Sequence, residues 1–364
     1  MNQAAVAGRP LGAAVIGTGF IGRVHARAAR LAGATLVGVG ASSAAKGATA
    51  AEELGARRVY LTPDDVASDP QVDVVHICTP NALHLSYARS ALAAGKHVIC
   101  EKPLGTDLVE ARELQERARE SGLVATVPFA YRYYPSVREA RAQVHGGRLG
   151  RVGLIHGSYL QDWLAGGAST SWHLDAAKNG RSRAFADIGS HWCDLVEFVT
   201  GDRIRRVSAV LSGWPDGDAG TGLGADNVAT VLLAFESGAV GSTVISQVSP
   251  GRKNRLWVEF DGTDASAVFD QESPDSLWLG RRDSVTIIPR GESGQAEQAA
   301  AVNIVPPGHP HGFSDCFALF VEQSYAAIRG HWSDGLPTFD DGARAAAVVD
   351  AVLRSASIGG FVAV

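Results

Sequence analysis

From Gly12 to about Val127, short apolar runs rich in β-branched residues alternate with longer amphipathic stretches. The runs are "AAVIG" (13–17), "TLVGVG" (35–40), "RVYL" (58–61), "VDVVHIC" (72–78), "HVICE" (97–101) and "LVATV" (123–127). They are continuously apolar rather than alternating, which marks strands covered on both faces. In the intervening "FIGRVHARAARLAG", Ile21, Val24, Ala28 and Leu31 share one helical face, and in "DLVEARELQERARESG" Leu108, Ala111, Leu114 and Ala118 do so. Asp107 and Glu110 have the spacing of an N-terminal capping pair, and Gly122 follows the end. Strands and helices in alternation predict a parallel sheet with helices on both faces.

After about Phe129 the pattern changes. "RVGLIHGSYLQ", "RVSAVLSGW", "NVATVLLAFES", "AVGSTVISQV", "RLWVEFDG", "SAVFDQ" and "SLWLG" read as strands joined by turns, which predicts a largely antiparallel sheet. One helix, within "RAFADIGSHWCDLVEF" (183–198), interrupts it, and "FDDGARAAAVVDAVLRSASIG" closes the chain. Asp187, His191 and Asp194 are spaced four and then three apart, which puts them on one face of that helix. The division expected is 1–128 and 129–364, with a last helix at about 339–358 able to pack back on the first domain.

A length of 364 residues suits two domains. The net charge of −5, without a long basic run, gives no support for nucleic acid or an anionic membrane as partner. The apolar runs are too short to span a bilayer, and the N-terminus lacks a basic segment followed by an apolar one. Cys78, Cys100, Cys193 and Cys316 are scattered, so neither a disulfide framework nor a structural zinc site is expected. A soluble cytoplasmic protein fits these features.

"GTGFIG" follows the first strand and opens the first helix, the context a dinucleotide-binding turn requires. Gly17 permits the tight turn, Gly19 admits a pyrophosphate, and Gly22 allows close packing of helix on strand, with Phe20 and Ile21 at the helix start. An acidic residue at the end of the second strand would bind the ribose diol of NAD; none occupies Gly40 to Ser43. Ser42, Ser43 and Lys46 stand there instead, which leans toward the 2′-phosphate of NADP and leaves NAD open.

"CTPNALH" (78–84) and "CEKPL" (100–104) follow the fourth and fifth strands, at the carboxyl ends where open α/β sheets bind ligands. With "GTGFIG", "YRYYP" (131–135) and "DIGSH" (187–191) they occur in an order that resembles the Gfo/Idh/MocA oxidoreductases, over nearly the whole chain. The resemblance implies an N-terminal Rossmann doubly wound parallel sheet and a C-terminal α+β domain on a large, mostly antiparallel open sheet. It implies a cofactor site of Gly17, Gly19, Phe20, Ile21, Gly22, Ser42, Ser43, Lys46, Thr79, Pro80, Asn81, His84, Glu101, Lys102 and Arg132. Lys102 would lie beside the nicotinamide, with Pro103 after a cis peptide bond and Glu101 positioning the lysine or touching the cofactor. Asp187 and His191 match the family's Asp-x-x-x-His pair: His191 would exchange the hydroxyl proton, and Asp187 would orient it or hold the substrate.

"GSYLQDWLAGGASTSWHLDAAKNGRSRAF" is the expected substrate loop. Trp163 and Trp172 could pack on sugar C–H faces, or fill the core; Gln161, Asp162 and His173 could bind hydroxyls. Tyr131, Tyr133 and His311 read as packing or loop residues. "SYLQDW" and "SWHLD" resemble the family's levoglucosan and glycoside 3-dehydrogenase subset. The implied activity is NAD(P)-dependent hydride exchange at a secondary hydroxyl of a cyclic sugar, glycoside, anhydrosugar or inositol. A ketosugar reductase and an enzyme that recycles its cofactor share this fold, and a cofactor-binding regulator without turnover is the rival from another class. A metal site on the 187/191/194 face would need a further ligand, and no metal is expected. The resemblance also implies a homodimer or homotetramer built through the C-terminal sheet.

Overall fold

The computed structural model describes residues 8–166, 176–214, 226–291 and 294–364. The chain divides into two compact units, Met1–Ala130 with Ser314–Arg344, and Tyr131–Phe313 with Ala345–Val364.

In the first unit the chain runs β1 (Gly12–Ile16), α1 (Phe20–Leu31), β2 (Thr35–Gly40), α2 (Ala44–Leu54), β3 (Arg58–Tyr60), α3 (Pro63–Ala67), β4 (Val74–Ile77), α4 (His84–Ala93), β5 (His97–Cys100), α5 (Leu108–Ser121) and β6 (Ala125–Thr126). The strands form one parallel sheet in the order β3-β2-β1-β4-β5-β6. β1, β4 and β5 are buried along their whole length, as their unbroken apolar character requires. The order reverses between β1 and β4, and a ligand crevice opens at such a switch point. The strands are shorter than the apolar runs because Gly17, Cys78 and Glu101 leave the sheet to form loops. α5 is capped by Asp107, whose Oδ1 accepts the Glu110 N–H at 2.9 Å, and stops at Gly122 with φ +63°.

The second unit follows with α6 (Pro135–His145), β7 (Val152–Leu160), α7 (Ala176–Asn179), α8 (Ser190–Thr200), β8 (Ile204–Ser212), β9 (Val228–Phe235), β10 (Val240–Ser246), β11 (Arg255–Gly262), β12 (Ser266–Asp270), β13 (Ser276–Gly280), β14 (Val285–Pro289) and α9 (Glu297–Ala300). Then come α10 (Phe313–Ile328), α11 (Phe339–Ile358) and β15 (Val362–Ala363). The second sheet has nine strands in the order β14-β13-β12-β11-β7-β10-β9-β8-β15; only the β7–β10 pair is parallel. Its inner face carries Leu256, Val258 and Phe260 of β11 and Ala229, Val231 and Leu233 of β9. Gly157 of β7 lets Trp192 of α8 lie against the sheet, where the indole N–H donates to the Trp257 carbonyl at 3.1 Å.

Two long helices, α6 and α10, lie in stretches where the apolar pattern gave none. On α6 the buried face includes Arg138, Glu139 and Gln143, so it has no apolar stripe to read. α10 is mostly apolar, and its polar side is confined to Ser314, Asp315, Glu322 and Gln323, too few to mark it in the sequence. Ser314–Arg344 belongs with the first sheet although it follows the second in sequence. Ser324 Oγ meets Thr126 Oγ1 at 3.0 Å, and the Val127 N–H donates to the Pro337 carbonyl at 3.2 Å.

The first unit buries His76, His84 and His97, and burial lowers the pKa of each, that of His97 to about 4. A ring kept neutral in the fold but protonated in the unfolded chain stabilises the fold fully above the ordinary histidine pKa and loses that stabilisation as pH falls toward the folded value. Denaturant unfolding should therefore show stability falling between about pH 6.5 and 4, with His97 alone contributing roughly 3 kcal/mol of the change. A flat profile across that interval would contradict the burial of these rings.

Candidate active site

The turn after β1 is held by backbone proximity. Gly17 has φ +97°, and a Cβ there would fall on the carbonyl oxygen of Cys78; a Cβ on Gly22 would fall on the carbonyl oxygen of Gly17. Around Gly19 the space is open. α1 starts with no acidic residue in its first turn and no side-chain cap, so its first N–H groups and its positive dipole end suit an anion. Thr79 Oγ1, at the end of β4, is buried without a hydrogen-bond partner among the described residues. This arrangement fits a dinucleotide pyrophosphate. Phe20 is exposed at the turn, and Ser42 and Lys46 are exposed beyond β2. The Ser43 hydroxyl caps α2 by accepting the Lys46 N–H at 3.4 Å.

The loops after β4 and β5 are tied together by His84, whose buried ring lies 2.9 Å from the Thr79 carbonyl and 2.9 Å from the Pro103 carbonyl. A neutral ring donates to one of these at a time. His84 thus braces the loops from beneath. The Lys102–Pro103 bond is cis, as the resemblance implied. Glu101 Oε2 accepts the Lys102 backbone N–H at 3.1 Å, and its Oε1 lies 3.0 Å from His25 Nε2. His25 drew no attention in the sequence because it reads as one more residue on an amphipathic helix.

In the second unit the expected single helix is two pieces. Residues Phe185–Gly189 form a π-turn, and α8 starts after it at Ser190. A Cβ on Gly189 would come within 2.6 Å of the Phe185 ring, so glycine is what lets the turn close. Asp226 fixes this turn: its carboxylate accepts from Ser182 Oγ (2.9 Å), the Arg183 N–H (2.8 Å) and the Phe185 N–H (2.7 Å). Burial raises the Asp226 pKa, and these three donors oppose the rise.

The two carboxylates that a regular helix would align take different partners. Asp187 Oδ2 accepts from Gln247 Nε2 at 2.7 Å, at the end of β10. Asp194 instead pairs with Arg132: Nε–Oδ2 is 2.8 Å, a second contact joins Nη2 and Oδ1, and both side chains are buried. Arg132, carried over as a cofactor ligand, thus pairs with Asp194, and its guanidinium also lies 5.0 Å from the Phe198 ring centroid. Among the described residues, the His/Cys/Asp/Glu trio whose donor atoms converge within 4.8 Å is His156, Glu259 and Asp261, which includes none of the three helix residues.

From Asp187 a polar network crosses the strand ends. Gln247 faces Gln161 Oε1 at 3.5 Å, Gln161 Nε2 donates to Asn254 Oδ1 at 2.8 Å, and Tyr159 donates to the same oxygen at 2.7 Å. Tyr131 meets the Tyr159 hydroxyl and presents its ring edge-on to His191, with centroids 4.9 Å apart. Gln247 Oε1 is buried and has no hydrogen-bond partner among the described residues. Gln247 and Asn254 went unnoticed in the sequence, where Gln247 reads as one more residue of a strand run and Asn254 as a turn residue before the next. Trp163 is 41% exposed, which excludes it from the core, and its indole N–H donates to Gln161 Oε1 at 3.1 Å. Asp162 Oδ2 is taken by Lys253 (2.6 Å) and the Gly251 N–H (3.1 Å). Tyr133 is buried, as is His311. Trp172 and His173 lie outside the described residues.

Two family signatures match the chain. Residues 11–129 match the oxidoreductase family with an NAD-binding Rossmann fold, and residues 137–268 match the GFO/IDH/MocA C-terminal domain. Levoglucosan dehydrogenase of Pseudarthrobacter phenanthrenivorans is 31% identical over 325 residues, covering 80% of each chain. A solved levoglucosan dehydrogenase with NADH and levoglucosan superposes with a TM-score of 0.89 at 29% identity, over 98% of this chain and 99% of that one. An inositol dehydrogenase homolog from Azotobacter vinelandii, with NAD+, gives 0.87 at 26% identity over 98% of both. The fold and the ordered motifs therefore define an NAD-binding oxidoreductase. The chain belongs to the Gfo/Idh/MocA family. No helix among the described residues is long and apolar enough to cross a membrane.

Breaking the Arg132–Asp194 pair strands a buried charge. Asp194→Ala should lower unfolding stability by about 3–5 kcal/mol. Lys253→Ala, at a partner of Asp162 that is 82% exposed, should change it little. Denaturant titration of the two variants side by side measures the contrast; equal effects would remove the structural role given to Asp194.

Proposed function

We propose that this oxidoreductase oxidises a secondary hydroxyl of a cyclic sugar, anhydrosugar, glycoside or inositol, at C3 in a pyranose, with Lys102, Asp187 and His191 as its reactive residues. The observation that carries the reading is the Asp187–Gln247–Gln161–Asn254 network with the half-exposed Trp163 hydrogen-bonded to it. Carboxamides and a carboxylate at strand ends suit vicinal hydroxyls, and an indole suits the C–H face of a ring. The unpartnered Gln247 Oε1 is an acceptor for one such hydroxyl. Levoglucosan bound with NADH in a relative supports the same substrate class.

A bound nicotinamide would take up the hydride. The dinucleotide would be held by the Gly17–Gly22 turn, by Thr79 to Asn81 and by the Glu101–Lys102 loop. His191 takes the hydroxyl proton, since an imidazole can accept it near neutral pH. Lys102 places a cation beside the oxygen and stabilises its negative charge as the carbonyl forms. Asp187, anchored by Gln247, orients the substrate or the imidazole. At the adenosine end, the missing acid and the nearby Lys46 favour acceptance of NADP as well as NAD; the relatives' bound NADH and NAD+ support the latter. Self-association through the outer sheet face is supported by exposed Leu154, Val210, Leu232, Val240 and Val244, and a reducing cytoplasm by four free cysteines.

Absorbance of reduced nicotinamide, followed with NAD and NADP against inositols, free sugars, levoglucosan and glycosides, tests the reading. Lys102→Ala and His191→Ala should each lower turnover by about 10²–10⁴-fold while cofactor binding holds. Lys46→Glu should raise KM for NADP and leave that for NAD nearly unchanged. Near-normal turnover in both alanine variants would overturn the assigned roles.

A further inference from the structure

Behind the Lys102 loop lies a chain of buried polar side chains that the proposed chemistry does not use. His25 of α1 and His76 of β4 have no exposed surface, and Tyr325 of α10 is almost as deeply buried. Glu101 Oε1 lies 3.0 Å from His25 Nε2, His25 Nδ1 lies 2.9 Å from His76 Nδ1, and His76 Nε2 lies 2.7 Å from the Tyr325 hydroxyl. The chain joins α1, β4 and α10 to the Glu101 carboxylate.

The chemistry of these groups constrains where the protons sit. Two nitrogens 2.9 Å apart hold one proton between them, so two neutral rings here are opposite tautomers. An ionised carboxylate only accepts, so His25 carries its proton on Nε2 and leaves Nδ1 as an acceptor. His76 must then donate from Nδ1, and its Nε2 accepts from the Tyr325 hydroxyl. Every bond points the same way, from Tyr325 through His76 and His25 to Glu101. The far oxygen, Oε2, is left to hold the Lys102 backbone N–H at 3.1 Å. Burial, and after it His25, lowers the pKa of His76, in keeping with a neutral ring. Other titratable groups near the chain are the thiols of Cys78 and Cys100 and the ring of His84 beside Glu101, whose burial disfavours charge, and Arg329 beside Tyr325.

We infer that His25, His76 and Tyr325 are positioning residues that fix the Glu101 carboxylate and, through it, the backbone carrying Lys102. The inference rests on Lys102 being a reactive residue. A second partner behind a reactive group sets its orientation, and losing such a partner costs about 10- to 100-fold in activity in the best-studied cases. The directional chain matters because a wrong tautomer at His25 would set a lone pair against the carboxylate and release it.

Two measurements decide it. Nitrogen-15 NMR of the histidine rings in the full chain should find His25 protonated on Nε2 and His76 on Nδ1. His76 should not titrate between about pH 6 and 8, where an ordinary histidine does. The reverse tautomers, or titration of His76 in that interval, would overturn the directional chain. Tyr325→Phe removes one hydroxyl and keeps the ring. It should lower kcat about tenfold while KM for substrate and cofactor stays within about twofold, a split that general loosening of the fold would not give. An unchanged kcat in Tyr325→Phe, with Lys102→Ala inactive, would overturn the positioning role and leave the Lys102 reading standing. Full activity in Lys102→Ala would overturn both, and the NMR result would still report the direction of the chain.

Discussion

The carboxyl ends of β1 and β4 are separated by less than a side chain. At Gly17 the backbone runs against the Cys78 carbonyl, and at Gly22 the first helix runs against the turn it grew from. A Cβ at either point would have to occupy the space of a backbone oxygen. This approach aims the first turn of α1 at the crevice where the strand order reverses and keeps its N–H groups free for phosphate. The loops after β4 and β5 then take their positions relative to it, cross-braced by His84 and backed by Glu101. Without that close approach the glycine-rich turn would be an ordinary connection.

The second unit is organised by buried polar groups rather than by apolar fit alone. Asp226 gathers three donors and thereby shapes the π-turn that presents Asp187. Arg132 and Asp194 neutralise each other under the same helix. Such pairs add little net stability compared with apolar residues of the same size, and removing one partner is costly. Their effect is to specify: a π-turn and a regular helix differ by one residue of register, and only the directional bonds choose between them. The same logic holds behind Lys102, where each ring nitrogen has a single geometrically sensible partner.

Which features could be read in the chain itself follows from how local their causes are. The parallel sheet was legible because buried strands must be continuously apolar, and the nucleotide turn because its glycines stand immediately between strand and helix. The antiparallel half was legible from strands joined by turns. α6 and α10 were not, since one buries charges and the other carries only a narrow polar side on a mostly apolar stretch. Lys102, Asp187 and His191 stood out by motif, whereas Gln247, Asn254, Asp226 and His25 have no local signature. Each acts only through a neighbour far away in sequence.

The sequence by itself determined the two-part architecture, the dinucleotide turn and the residues that bear charge and protons, because periodicity and glycine placement act over a few residues. Tertiary structure alone decided which of those residues share partners. It separated Asp194 from Asp187, assigned Arg132 to Asp194, turned His84 inward and threaded Glu101, His25, His76 and Tyr325 into one chain. A hydrogen bond is satisfied by direction and distance, and both are fixed only when elements remote in sequence are packed together.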